Sequence, residues 1–353
     1  MSQRKTFKKG KVFLNFQVLR LIGQGGFADI YHVRERKTDQ KYALKVESKS
    51  NQKKTLQLEE SVFYALGDSP FFPKFIRSGE TPKYRYYLLE CLGPSLTVVR
   101  KKLPDNTYTI SSTLLLGIHM LRCIEKFHRA GYIHRDIKPG NFLIRPSRQH
   151  PLALIDYGLA RLHMNPETNL PIEPRSKAGF AGTCKYASLN AHEYHDLGRR
   201  DDLISWFYSM IELAKGSLPW GDITKREDVY NMKLNITKEE LCKGLPEEFI
   251  SLWRTIMQYE YATEPNYRLL LSFLVQAMTK TDATFDDQYD WELLDKEEKE
   301  HISVIPIDAP LDEEPYVPGE GQLLPCVVPG DEDEYIIEEN KKKCCSCLPC
   351  NIC

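Results

Sequence analysis

Residues His134 to Asn141 read HRDIKPGN, and further along Asp156, Tyr157 and Gly158 read DYG. No other stretch limits so tightly what the chain can become. Moving a phosphoryl group to a hydroxyl requires a proton acceptor beside the hydroxyl and Mg²⁺ held against the phosphates while charge builds. Asp136 suits the first role. Lys138 can set a positive charge beside the moving phosphate, and Asn141 and Asp156 supply the amide and carboxylate oxygens that a hard cation prefers. HRD alone also has a lesser reading as a polar loop before a turn. HRDxKPxN, followed at this spacing by an aspartate after the apolar run Leu152 to Ile155, does not.

Such a site also needs a clamp for ATP. Two alternating runs, Phe16 to Ile22 and Phe27 to Val33, read as antiparallel strands joined by a glycine loop, so that Ile22, Gly23, Gln24, Gly25, Gly26, Phe27, Ala28, Asp29 and Ile30 form a hairpin. Glycine lets backbone amides approach phosphate. The loop departs from GxGxxG at Ala28, and by itself it is also an ordinary turn. The following strand, YALKV from Tyr42 to Val46, carries Lys45 inside an apolar run, where a charge is costly unless it is paired or meets an anion. Glu59, in the helical stretch Thr55 to Leu66, is its natural partner. A strand lysine more commonly reaches out to solvent; the glycine loop before it and the HRD block after it favour the anion.

These residues resemble a protein kinase. LECLGPSL from Leu89 to Leu96, HRDIKPGNFL, GTCKYASLN from Gly182 to Asn190 and RRDDLISWFY from Arg199 to Tyr208 are similar to the casein kinase 1 superfamily, and AGFAGTCKYASLNAHEYHDLGRRDDL looks most like its tau-tubulin kinase branch. The usual APE tripeptide is replaced by ASLN, as in that superfamily. The resemblance runs from about Phe16 to Trp291. It implies an α+β, bilobal protein kinase fold with a β-rich N-lobe to about residue 90 and a helical C-lobe from about 96, the cleft lying between them. By the same resemblance, Gly23 to Ile30 would cover the ATP phosphates, Lys45 would contact them and Glu59 would hold Lys45. Leu89 would be the gatekeeper, and Glu90 to Leu92 would offer hinge backbone groups to adenine. Asp136 would orient the Ser or Thr hydroxyl, Lys138 would steady the γ-phosphate, Asn141 and Asp156 would bind Mg²⁺, and Asp202 would anchor the catalytic loop. Tyr157, where phenylalanine is usual, adds a hydroxyl that needs a partner. A catalytically dead scaffold or a membrane adaptor is the alternative, but Lys45, Glu59, Asp136, Asn141 and Asp156 are all present, which favours activity.

Relatives of this kind generally work without activation-segment phosphorylation, so constitutive activity is expected, with Thr168, Ser176 and Thr183 the Ser and Thr residues between Asp156 and Ser188. They favour acidic or already phosphorylated substrates, and Lys185 is suitably placed for that. TKRED from Thr224 to Asp228 puts acids where a second basic contact is wanted, which leaves the need for a priming phosphate open.

A chain of 353 residues, 42% hydrophobic and with net charge −1, suits one bilobal unit with a tail and gives no argument for nucleic acid. No apolar run approaches the roughly 20 residues of a membrane span, and MSQRKTFKKGK lacks the apolar segment of a secretory signal, so a cytoplasmic location is expected. Cys91, Cys123, Cys184 and Cys242 then read as free thiols. Residues 1–15 read as a solvated basic arm and 16–295 as the kinase domain. Within it Ser111 or Ser112 caps a helix striped by Leu114, Ile118, Leu121 and Ile124 and ended by Gly131. Asp201 to Ala214 reads as a buried helix capped by an aspartate, and further helices are expected at Glu248 to Gln258 and Tyr267 to Met278.

Residues 296–340 read as an acidic, disordered linker, since His301 to Asn340 contains no Lys or Arg and acids gather in DEEP and DEDEYIIEE. Its other reading is an acidic competitor for a basic substrate groove. The chain ends KKKCCSCLPCNIC, with Cys344, Cys345, Cys347, Cys350 and Cys353 after Lys341 to Lys343. Zinc lacks the scaffold and histidines that fix a tetrahedral site, and asparagine in Cys350 to Cys353 fits prenylation poorly. Acylation beside a basic triplet combines the two signals that stable anchoring takes, placing the enzyme on the cytoplasmic face of a membrane.

Overall fold

In β4 (Lys41–Ser48) the two-residue period of a strand sends Leu44 and Val46 to one face and Ala43 and Lys45 to the other. That alternation separates the N-lobe core from the cleft. The computed structural model describes residues 6–26, 28–51, 55–310, 312–319 and 323. Leu44 and Val46 pack with Phe16, Val18, Tyr31, Val33 and Leu88 in a small outer core. They are carried by β1 (Val12–Phe13), β2 (Phe16–Gln24), β3 (Ala28–Glu35), β4, β5 (Phe75–Glu80) and β6 (Tyr84–Leu89). The six form one antiparallel sheet in the order β1-β2-β3-β4-β6-β5. Helix α1 (Thr55–Leu66) has the bounds expected of it. The buried Glu47 of β4 ties its first residue to the sheet, accepting from the Thr55 hydroxyl at 2.6 Å and the Thr55 N–H at 3.2 Å.

After the hinge the chain turns helical. Helices α2 (Leu96–Arg100) and α3 (Ile110–Arg129) lead to two small ribbons. In these β7 (Tyr132–Ile133) pairs with β10 (Arg161–Leu162), and β8 (Phe142–Ile144) with β9 (Leu152–Leu154). Then come α4 (Leu189–His192), α5 (Arg199–Lys215), α6 (Arg226–Asn235), α7 (Lys238–Cys242), α8 (Glu248–Met257), α9 (Tyr267–Lys280) and α10 (Lys296–Ile302). The predicted stripe of α3 is buried along its length, and the apolar residues of α5 (Trp206, Phe207, Met210, Ile211) are enclosed on every side. Each such side chain contributes about 1.5–3 kcal/mol by leaving water. The indole N–H of Trp206 donates to the Gly117 carbonyl at 3.0 Å, pinning α5 against α3.

Four expectations are corrected. Helix α3 is capped by Thr109, which accepts from the Ser112 N–H. Ser111 and Ser112 are instead engaged with Asp287 and Asp290, partners about 178 positions away that no local pattern reveals. Helix α5 begins at Arg199, and Asp201 lies inside its first turn, its carboxylate accepting from the Gly198 N–H at 2.8 Å. The N-terminal arm is not wholly solvated: Phe7 stacks on Tyr31 with ring centroids 5.1 Å apart, although Lys8, Lys9 and Lys11 remain exposed. Finally, part of the acidic linker is folded. Residues 296–302 form α10, Ile307 is 2% exposed, and the Glu313 carboxylate accepts from the Ser147 hydroxyl at 2.8 Å. A few apolar side chains find slots on the C-lobe that composition averaged over the segment conceals. The five tail cysteines lie outside the described residues; the cysteines at 91, 123, 184 and 242 are free thiols. Among the described residues no helix is long and apolar enough to cross a membrane.

Candidate active site

The loop after β7 bends because one buried carboxylate holds it. Asp202, in the first turn of α5, accepts from the His134 N–H on one oxygen and the Arg135 N–H on the other, each at 2.7 Å. His128 Nε2 reaches the same group at 2.8 Å, and His128 Nδ1 meets the Tyr267 hydroxyl at 2.7 Å. Arg135 consequently adopts φ +66, a left-handed conformation that an L-residue keeps only when its surroundings impose it. Burial pushes the Asp202 pKa up, but the hydrogen bonds from His128 and from the His134 N–H outweigh it and leave it below the ordinary carboxylate value. Burial lowers the pKa of His128 in turn, so the imidazole is neutral and donates through Nε2.

The bend presents Asp136. Its Oδ1 accepts from the Thr183 hydroxyl at 2.7 Å and its Oδ2 from Lys138 Nζ at 2.7 Å, while Lys138 also donates to Thr183 Oγ1 at 2.9 Å. The triangle fixes the plane of the carboxylate. Thr183 comes from the activation segment, and Gly182 before it permits the approach: its φ is +100, and a Cβ there would lie 2.6 Å from the Arg135 carbonyl oxygen. The Asn141 amide nitrogen donates to the Asp136 carbonyl at 2.8 Å, which leaves the amide oxygen as the donor for a cation. The Asn141 carbonyl accepts from the Ile155 N–H at 2.9 Å, bringing Asn141 alongside Asp156.

Asp156 has φ +68 and lies 3.5 Å from Lys45 Nζ. Burial pushes its pKa up, yet Lys45, His134 and Lys138 together hold it below the ordinary value, so it is an anion. An amide oxygen and a carboxylate suit Mg²⁺, which takes one or two protein oxygens and completes its shell with phosphate and water. The Tyr157 hydroxyl has found its partner in the Leu154 carbonyl at 2.8 Å. Its ring is fully buried among Phe63, Phe72, Phe127 and His134.

Across the cleft, Lys45 donates to both oxygens of Glu59 at 2.7 Å. Burial pushes the Lys45 pKa down, but Glu59 and Asp156 outweigh it and hold it above the ordinary lysine value. Tyr87, opposite Lys45 in the β4–β6 register, donates its hydroxyl to Glu59 at 2.5 Å and completes the clamp. Ile22, Gly23, Ile30, Lys45, Leu89, Glu90, Leu92 and Asp156 border one cavity of about 650 Å³, closed below by Leu143 and Ile155. Gln24, Gly25, Gly26, Ala28 and Asp29 make the adjoining hairpin turn, closed by Gly25 N–H to the Ala28 carbonyl at 2.9 Å. Phe27 lies outside the described residues. Glu90 already donates its N–H to the Lys74 carbonyl at 3.0 Å, and its carboxylate pairs with Arg145.

The catalytic loop, the pair Asn141 and Asp156 and the clamp of Lys45 and Glu59 are thus where the sequence pattern puts them, whereas the supports Tyr87, His128 and Asp196, the hold of Thr183 on Asp136, and the lining residues Arg20, Ala43, Leu143, Ile302 and Val304 carried no such pattern. Asp196 is fully enclosed and receives Arg175 through Nε at 3.1 Å and Nη2 at 2.8 Å, with Arg161 at 3.3 Å. Only Thr183 had a signal, its place in GTCKY.

The protein kinase domain model matches residues 16–281. The chain is 37% identical over 279 residues to a probable serine/threonine-protein kinase of Dictyostelium discoideum, covering 78% of this chain and 56% of that protein. It is 33% identical over 298 residues to the serine/threonine-protein kinase spe-6 of Caenorhabditis elegans, covering 82% of this chain and 78% of that one. The chain thus spans only about half the length of the Dictyostelium relative. This chain belongs to the protein kinase family.

Proposed function

We propose that the protein is a serine/threonine kinase of the casein kinase 1 superfamily, nearest its tau-tubulin kinase branch, that transfers the γ-phosphate of ATP to protein hydroxyls without prior phosphorylation. The observation that carries the reading is Asp136, held on both oxygens by Lys138 and Thr183 while Lys45 and Glu59 are closed. Asp136 takes the proton of the attacking Ser or Thr hydroxyl, whose oxygen bonds to the γ-phosphorus as the bond to ADP breaks. Lys138 and Lys45 stabilise charge on the phosphoryl oxygens, and Asn141 and Asp156 would hold Mg²⁺, which when bound would neutralise further phosphate charge. Constitutive action is supported by Arg135, whose Nε is occupied by the Leu159 carbonyl at 2.7 Å. It is further supported by Asp196, a carboxylate that joins Arg175 of the activation segment to Arg161 of β10.

A preference for acidic protein substrates is part of the reading, through Lys185 in GTCKY. Lys185 already donates to the buried Glu212 at 2.5 Å, so the preference is modest, and the need for a priming phosphate stays open. The test is phosphotransfer from Mg-ATP to a casein-like substrate by full-length protein made in bacteria with a phosphatase. Activity is expected, with a fall of about a thousandfold or more in Asp136→Asn. Equal signals from the two proteins, or activity only after phosphorylation, would overturn it.

The enzyme is further proposed to be cytoplasmic and held at a membrane by acylation of the terminal cysteines next to Lys341 to Lys343. Serine at all five positions should move the protein to the soluble fraction; persistent membrane association would reject the anchor.

A further inference from the structure

The cavity between the lobes has a wall that lies beyond the matched kinase domain. His301, Ile302 and Val304 border the same space as Lys45, Leu89 and Asp156. The segment that carries them is fastened along its length. Asp295 caps α10 by accepting from the Glu298 N–H at 2.8 Å. Lys299 donates to the Glu292 carbonyl at 2.9 Å and pairs with Asp308 at 2.9 Å, closing the turn beyond the helix. Ile307 then enters the core against the hinge. A Cβ on Gly93 would lie 2.9 Å from Ile307 Cγ2 and 2.9 Å from the Ile144 carbonyl oxygen, so this approach needs a hinge residue without a side chain. Farther on, Glu313 holds Ser147 and the Arg148 N–H, and the Tyr316 ring receives the Arg122 guanidinium 3.4 Å from its centroid.

A strap fixed at both ends and wedged against the hinge is part of the cavity's geometry. Ile302 and Val304 are half-buried apolar side chains facing an open volume, and they gain burial only when something apolar occupies it. We propose that residues 301–304 form the outer wall of the nucleotide site and help to set the affinity for the adenosine part of ATP. They act by covering apolar surface of the bound nucleotide, not by touching the reacting phosphate. The inference rests on the reading of this cavity as the ATP site.

The test measures binding of the fluorescent nucleotide mant-ATP with Mg²⁺ to the full chain, together with KM and kcat for ATP. Ile302→Ala/Val304→Ala is expected to weaken binding and raise KM about tenfold, with kcat unchanged within about twofold. His301→Ala, at an exposed position, should weaken binding about threefold. Unchanged binding in both variants, with mant-ATP bound normally by the unaltered chain, overturns the wall while leaving the ATP site standing. Failure of the unaltered chain to bind mant-ATP removes the ATP-site reading and this inference with it.

Discussion

The two sides of the cleft are held by different physics. On the C-lobe side a single buried carboxylate, Asp202, fixes the catalytic loop through two backbone N–H groups and a neutral histidine, all carried by or packed against buried helices. On the N-lobe side, Lys45 and Glu59 join a strand to a helix by one ion pair, with Tyr87 as the third member. The first arrangement satisfies backbone donors that have no other outlet, so it belongs to the fold as much as to the site. The second joins a strand and a helix that Glu47 and Thr55 also tie together. Position in the site therefore does not predict what a residue contributes to stability.

Three measurements separate the sides. The largest combined effect is expected from Asp202→Ala, which leaves two backbone donors and His128 without their acceptor. It should cost about 3–5 kcal/mol in denaturant unfolding and abolish phosphotransfer. A stable but inactive variant would show that the loop is held by something else. Lys45→Met should reduce kcat/KM by about a hundredfold or more but cost only about 1–2 kcal/mol of stability. The reason is that burial already raises the Glu59 pKa, and Glu59 can take up a proton once its partner is gone. A loss matching that of Asp202→Ala would erase the distinction.

The smallest effect concerns Asp196, whose pKa burial pushes up but Arg175 and Arg161 hold at about 2. Its folded value is lower than its unfolded one, so its contribution, about 2 kcal/mol, is complete above about pH 4 and lost as the pH falls towards 2. Unfolding curves of the unaltered protein and Asp196→Asn should differ at pH 6 and converge near pH 2. A difference that persists at pH 2 would mean that the asparagine disturbs packing instead.

Much of this site was legible because its chemistry is local: HRDIKPGN, DYG and LKV each put the reacting residue within a few positions of the pattern that identifies it. The supports were not, because a hydrogen-bond partner can lie anywhere in the chain. Tyr87 is one more strand tyrosine until the β4–β6 register sets it opposite Lys45. Asp196 is one acid among many until it meets Arg175 and Arg161. Ser111 and Ser112 were as good as Thr109 for capping, and only Asp287 and Asp290 decide among them. The strap was misread for a related reason: acidic composition describes the average of residues 296–340, whereas docking depends on single residues such as Ile307 and Tyr316.

The hydroxyl of Tyr157 bears on which small molecules could inhibit this protein. A compound that took the slot of Tyr157, beside the cavity, would have to swing that ring out. Here that motion would empty a space among Phe63, Phe72 and Phe127 and also strip the Leu154 carbonyl of its donor. Emptying such a slot costs about 3–5 kcal/mol for a large aromatic, and a stranded buried acceptor adds about 1–3 kcal/mol. Inhibitors of that design should bind weakly, whereas those that stay in the front of the cavity, between the hinge and Ile302, face no such obstacle.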